Sequence, residues 1–148
     1  MPYWRLLYHV VWGTKNDHAL LDEDDVAIIE RSVRTTLRSL GAIPHAIGVM
    51  PDHVHVAVSI PPRVALSEAV GRMKGALAHA LNHNPSRPRE IRLVWQAEYG
   101  VLSFGERALP DVIAYVRNQR DRHARQRLWS SLERMNAAAT PGGSMPAD

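Results

Sequence analysis

The segment His53-Val54-His55 sets two imidazoles two residues apart within the run PDHVHVAVSIPP. In an extended strand successive side chains alternate between faces, so His53 and His55 project from one side while Val54 anchors the other. Neutral imidazole is the commonest protein ligand for divalent metals, and two on one strand face can share an ion such as Mg2+, Mn2+ or Zn2+. The same pair also suits a hydrated sheet face, and the motif alone leaves both readings open. Tyr115 and Gln119 form a second pair. At i, i+4 they stack on one side of a helix, on the flank of an apolar stripe of Val112, Ile113 and Val116. Alone they fit a tyrosine at the core edge and a glutamine in solvent. Beside a two-histidine site they fit more, because a glutamine carbonyl supplies a third ligand and the tyrosine one turn away faces a phosphate bound there. Asp52 is assigned to the Pro51-Asp52 turn rather than to the metal.

These residues need a scaffold, and the hydrophobic periodicity describes one. Residues 3–14 (YWRLLYHVVWGT) are aromatic and β-branched and read as a strand ended by Gly13. The acids Asp22 to Asp25 open a helix at the end where negative charge is favourable. Val26, Ile29, Val33, Leu37 and Leu40 continue it at helical spacing until Gly41. Residues 42–50 and 53–60 read as two strands, with Val54, Val56, Val58 and Ile60 on one face and His53, His55, Ala57 and Ser59 on the other. After Pro61-Pro62 a helix over 65–83 carries the stripe Leu66, Val70, Met73, Leu77 and Leu81. Residues 84–88 (NPSRP) are a loop, and 91–104 read as one or two further strands. A last helix starts at Leu109-Pro110-Asp111, with proline in the first turn where its missing N–H costs nothing, and is expected to run to about residue 133. The order β-α-β-β-α-β-α predicts an α+β fold: a ferredoxin-like antiparallel sheet with two helices on one face and a C-terminal helix carrying the tyrosine.

The chain of 148 residues is 45% apolar and 22% charged, enough for one buried core, so residues 1–135 are expected to form a single domain with a disordered tail over 136–148. No apolar run approaches the roughly 18 residues of a membrane span, and the opening MPYWRLLYHVVW does not read as a signal peptide. The absence of cysteine excludes disulfides and thiolate metal sites and suits a reducing cytoplasm. The net charge of +3 is a mild bias, but Arg117, Arg120, Arg122, Arg125 and Arg127 crowd one late segment.

Taken together, PDHVHVAVSIPP, WQAEYGVLSF and the helical YVRNQ, with YHVVWGTK and VGRMKG, resemble the TnpA-like single-tyrosine HUH transposases of small bacterial insertion sequences. That family includes the REP-associated tyrosine transposases. The resemblance runs in matching order over about residues 3–127. It implies a ferredoxin-like (RRM-like) fold, His53, His55 and Gln119 as ligands of Mg2+ or Mn2+, and Tyr115 as the nucleophile. It further implies cleavage of single-stranded, hairpin-forming DNA through a 5′-phosphotyrosine, with strand transfer by a later 3′-OH. A homodimer, with Tyr115 of one subunit completing the site of the other, and a place in a bacterial or archaeal cytoplasm at the nucleoid are also implied. Asn118-Gln119 stands where the REP-associated branch often has Asn-Pro, favouring the insertion-sequence type, and Asn16-Asp17-His18 stands where such proteins often carry more basic residues.

Lys15, Arg72, Lys74, Arg117 and Arg120 are candidate DNA contacts, each phosphate contact adding salt-sensitive affinity. Trp95, Tyr99 and Phe104 are candidates for base stacking, and His123, four residues past Gln119, for extending the metal site. Two other functions fit parts of the pattern. A replication-initiator or relaxase-type nuclease shares the chemistry but is usually larger. A non-catalytic nucleic-acid-binding module of the same fold has no need of His53, His55, Tyr115 and Gln119 together, and no aromatic RNA-binding signature is present.

Overall fold

A computed structural model of the chain describes residues 3–118. Its elements are β1 (Leu7–Gly13), α1 (Val26–Ser39), β2 (Ile43–Met50), β3 (His53–Ser59), α2 (Leu66–Asn82), β4 (Gly100–Phe104) and α3 (Leu109–Arg117). The four strands form one sheet in the order β2-β3-β1-β4, and every neighbouring pair is antiparallel. This is the ferredoxin-like arrangement that the element order predicts.

Strand alternation divides the molecule into two layers of packing. Val10 and Trp12 of β1 and Val54, Val56 and Val58 of β3 point to one face, where Ile29, Val33 and Leu37 of α1 and Val70, Met73, Leu77 and Leu81 of α2 bury them. The opposite face carries Ala46 and Ala57, and α3 lies over these small residues through Val112, Tyr115 and Val116. The short alanine side chains permit the close approach of a helix to that side of the sheet.

Helix ends follow local chemistry. The Asp22 carboxylate accepts from the Asp24 N–H at 2.9 Å, and the Asp25 carboxylate accepts from the Asp22 N–H at 3.1 Å, which satisfies N–H groups ahead of α1. Asp25 is buried, and Arg89 pairs with it at 2.8 Å while Arg87 reaches both Asp22 and Asp25. The loop after α2 is thereby tied to the start of α1. At the other end Gly41 takes φ +75, and Ala42 N–H reaches the Leu37 carbonyl at 2.9 Å, closing the helix as a left-handed glycine cap does.

Two strand expectations change. Residues 3–6 lie outside β1 because the ladder partners of Leu7 are Ser59 and Phe104, the last residues of β3 and β4. Of 91–104 only 100–104 form a strand, and Trp95 makes one isolated bridge with Thr14. Around that bridge Lys15 N–H donates to the Val94 carbonyl at 2.8 Å and Gln96 N–H to the Gly13 carbonyl at 2.9 Å, and side chains of α2 take other backbone groups of the segment. Asn82 holds both the N–H and the carbonyl of Leu93, at 2.8 and 2.9 Å. Lys74 Nζ donates to the carbonyl of Gln96 at 2.6 Å, with those of Ala97 and Glu98 at 3.4 and 3.5 Å. The continuation of the last helix past Arg117 and the tail over 136–148 lie outside the described residues.

Candidate active site

β3 delivers its histidines as the alternation requires. His53 and His55 share the face opposite the main core, with ring centroids 4.8 Å apart and planes tilted by 60°. The face is not a hydrated surface, however: His55 and Ala57 are fully buried and Ser59 beside them is buried. The cover is α3. Val112 and Val116 seat the helix on Ala46 and Ala57, and Tyr115 is brought down over the histidines. The tyrosine ring stands edge-on to His55 at 5.9 Å and to His9 at 5.7 Å.

This corrects the placement of Tyr115 on the flank of the stripe. The residue is 1% exposed and lies among the buried residues of α3, whereas Ile113 is only partly buried. Tyr115 is three residues after Val112 and so shares its helix face. Which of two adjacent faces meets the sheet depends on how α3 crosses the strands.

Each histidine is held by a neighbour through Nδ1. His53 Nδ1 lies 2.5 Å from Asp52 Oδ1, a half-exposed carboxylate that can only accept, so His53 donates. Asp52 thus does more than make the turn, in which it does lie; its carbonyl also accepts from Thr14 N–H at 2.8 Å. His55 Nδ1 lies 2.9 Å from Nε2 of His9 on β1, both buried, and the two rings are nearly parallel at 5.1 Å and 18°. Burial pushes His9 down to about 4. The His55 pKa is held well below its ordinary value, first by burial and then by His9 and His53. Both rings are therefore neutral at neutral pH, the state in which imidazole can offer a lone pair.

His9 is the site residue that sequence reasoning missed. Its signal was a single polar side chain inside LLYHVVW. In the ladder His9 stands opposite Ala57, one same-face position from Val11, the partner of His55. Asp52 was seen but assigned only to the turn.

The donor set suits a divalent ion in part. With Nδ1 of both rings engaged, Nε2 is the nitrogen through which His53 and His55 would coordinate. Among the described residues no group of three His, Asp or Glu converges for metal binding, so a further protein ligand would have to be of another type or come from outside 3–118. Gln119, the expected third ligand, lies outside the described residues, as do Arg120 and His123.

The candidate DNA contacts separate. Lys15 is exposed in a short turn after β1, Arg72 is exposed on α2 with Glu68 at 3.7 Å, and Arg117 is exposed two residues past Tyr115. Lys74 is not displayed outward, because its ammonium is committed to the carbonyls of 96–98. Burial also lowers its pKa, against an opposing effect of Glu98. Of the aromatic candidates, Trp95 packs edge-on against Trp12 at 6.1 Å and donates to the Lys74 carbonyl at 2.8 Å. Phe104 packs against the α3 cluster. Both belong to packing, and Tyr99 alone of the three is exposed.

A ferredoxin-like sheet with a His-x-His pair lying under a tyrosine-bearing helix is the arrangement implied by the resemblance to single-tyrosine transposases. The chain belongs to that class: the family model for IS200-like transposases matches residues 2–119. As a member of this family it is a transposase, an enzyme of DNA transposition. It is 26% identical over 122 residues to the ISDra2 transposase TnpA of Deinococcus radiodurans, across 80% of this chain and 87% of the relative. A solved structure described as a transposase from Deinococcus radiodurans R1 superposes with a TM-score of 0.62 at 26% identity, covering 80% of this chain and 95% of that one. A REP-associated tyrosine transposase bound to a REP hairpin shares the fold, with a TM-score of 0.57 at 14% identity over 78% of this chain and 70% of that one. Among the described residues no helix is long and apolar enough to cross a membrane.

Proposed function

We propose that this transposase cuts and rejoins single-stranded DNA through a covalent bond to Tyr115, with Mg2+ or Mn2+ held by His53, His55 and Gln119. The observation that carries the reading is the seating of Tyr115 against His55 and His9, with the His53 ring next to that of His55. A bound divalent ion would withdraw charge from the scissile phosphate. The Tyr115 oxygen forms the new bond to phosphorus as the bond to the 3′ oxygen breaks. The products are a 5′-phosphotyrosine and a 3′-OH. Because the phosphodiester bond energy is kept in the protein–DNA link, a second 3′-OH can displace Tyr115 and rejoin strands. The phenol has an ordinary pKa of about 10, so it must lose its proton locally to act near neutral pH.

DNA folded as a hairpin is the proposed substrate. Support comes from the family and from the relative whose structure holds a REP hairpin. Of the candidate contacts named from the sequence, Lys15, Arg72 and Arg117 are exposed among the described residues and remain for phosphate contact. Within one chain Tyr115 faces His55, so the cis arrangement is the alternative to the proposed homodimer with a shared site. The homodimer with a shared site is tested against it by co-expressing Tyr115→Phe with His53→Ala chains: cleavage restored in the mixed dimer establishes the trans arrangement.

Labelled hairpin DNA incubated with the protein and Mn2+ should give a covalent adduct on a denaturing gel. Tyr115→Phe should abolish it. An adduct that persists in that variant removes Tyr115 as nucleophile.

A further inference from the structure

We propose that His9 is a positioning residue that fixes the tautomer of His55, so that His55 presents the nitrogen lone pair needed to coordinate a divalent ion. The inference rests on the reading of His53 and His55 as the metal-holding pair. Two neutral imidazoles meeting nitrogen to nitrogen at 2.9 Å share a single hydrogen. If it sits on His55 Nδ1, then His55 Nε2 carries the lone pair. If it sits on His9 Nε2, then His55 Nε2 bears a hydrogen and cannot coordinate.

Asp52 solves the same problem for His53. A carboxylate has no hydrogen to give, so the His53 Nδ1 at 2.5 Å must be the donor. The two acceptors differ because their surroundings do. Asp52 keeps 36% of its side chain exposed and can carry a charge. Position 9 is 5% exposed beneath α3, where an unpaired carboxylate would be costly and an imidazole accepts without any charge. His9 also sets its ring against Tyr115 at 82° and 5.7 Å, so one side chain abuts both the ligand and the nucleophile.

The test uses the full-length chain and Mn2+ alone as the probe. Long-range 1H–15N spectra of 15N-histidine-labelled, metal-free protein should show His55 protonated at Nδ1 and bare at Nε2. The opposite tautomer overturns the proposal. Mn2+ titration should then compare His9→Leu, which keeps apolar volume, with His9→Gln, which keeps an acceptor oxygen. Loss of such an orienting partner typically weakens metal affinity by about 10–100-fold, and that loss is expected for His9→Leu, with most of the affinity retained in His9→Gln. Unchanged affinity in a folded His9→Leu, or an equal loss in both variants, reduces His9 to packing and overturns the proposal. Failure of the wild-type protein to bind Mn2+ removes the metal reading instead, and the tautomer measured in the same protein still decides the role of His9.

Discussion

Burying His9 and His55 costs little only while both remain uncharged. Unfolding returns each ring to water and to an ordinary pKa near 6.5, while burial holds folded His9 at about 4 and His55 well below its ordinary value. Between those values the unfolded chain binds more protons than the folded one, so stability rises with pH across the window. The contribution is fully present above about pH 6.5 and is lost progressively as pH falls towards 4. One pH unit below the ordinary value, His9 alone accounts for about 1.4 kcal/mol. Thermal melts of metal-free protein should therefore show lower stability at pH 5.5 than at pH 7.5, and His9→Gln should shrink the difference. Identical pH dependence in wild type and variant would refute the assignment.

At the scale of elements, the segment between α2 and β4 shows how side chains can supplement a short stretch of backbone pairing. Lys74 and Asn82 project from α2 and hold the backbone of Leu93 and of 96–98, while Trp95 is fixed by its bond to the Lys74 carbonyl. A lysine with this task is a structural clamp. Lys74→Met should lower stability by about 1.5–3 kcal/mol in urea unfolding, the scale of lost hydrogen bonds to a charged group. The salt dependence of DNA binding should stay the same. A salt slope reduced by about one with stability unchanged would instead make Lys74 a phosphate contact.

For the whole molecule, the two faces of the sheet are unequally secured. The face under α1 and α2 is closed by an extensive core, whereas α3 is held by a small cluster around Ala46, Ala57, Val112, Tyr115 and Val116. With Tyr115 1% exposed and His55 fully buried, the proposed reaction requires their cover to open before a DNA strand can reach them. Local opening is cheapest where few buried contacts must break. Amide exchange at 112–117 should proceed through an opening that costs less free energy than global unfolding. Exchange of these amides only together with β1 and β3 would rule out such an opening.

Much of this was legible before folding because it is local. The period of two in HVHVAVS put both histidines on one face, the 3.6-residue period marked α1, α2 and α3, and the element order implied the sheet. The spacing of Tyr115 and Gln119 was equally readable, although only the tyrosine falls among the described residues. What the tertiary structure decided is which distant segments meet. His9 and His55 are 46 positions apart, and nothing in either strand records the register that brings them into contact. Nor does helical period state which side of α3 lies against the sheet, or that Lys74 is spent on the carbonyls of 96–98. Alternation is a property of each strand, but strand pairing and helix docking are settled by burying both faces of the sheet at once, and that packing turned two histidines and a tyrosine into one buried cluster.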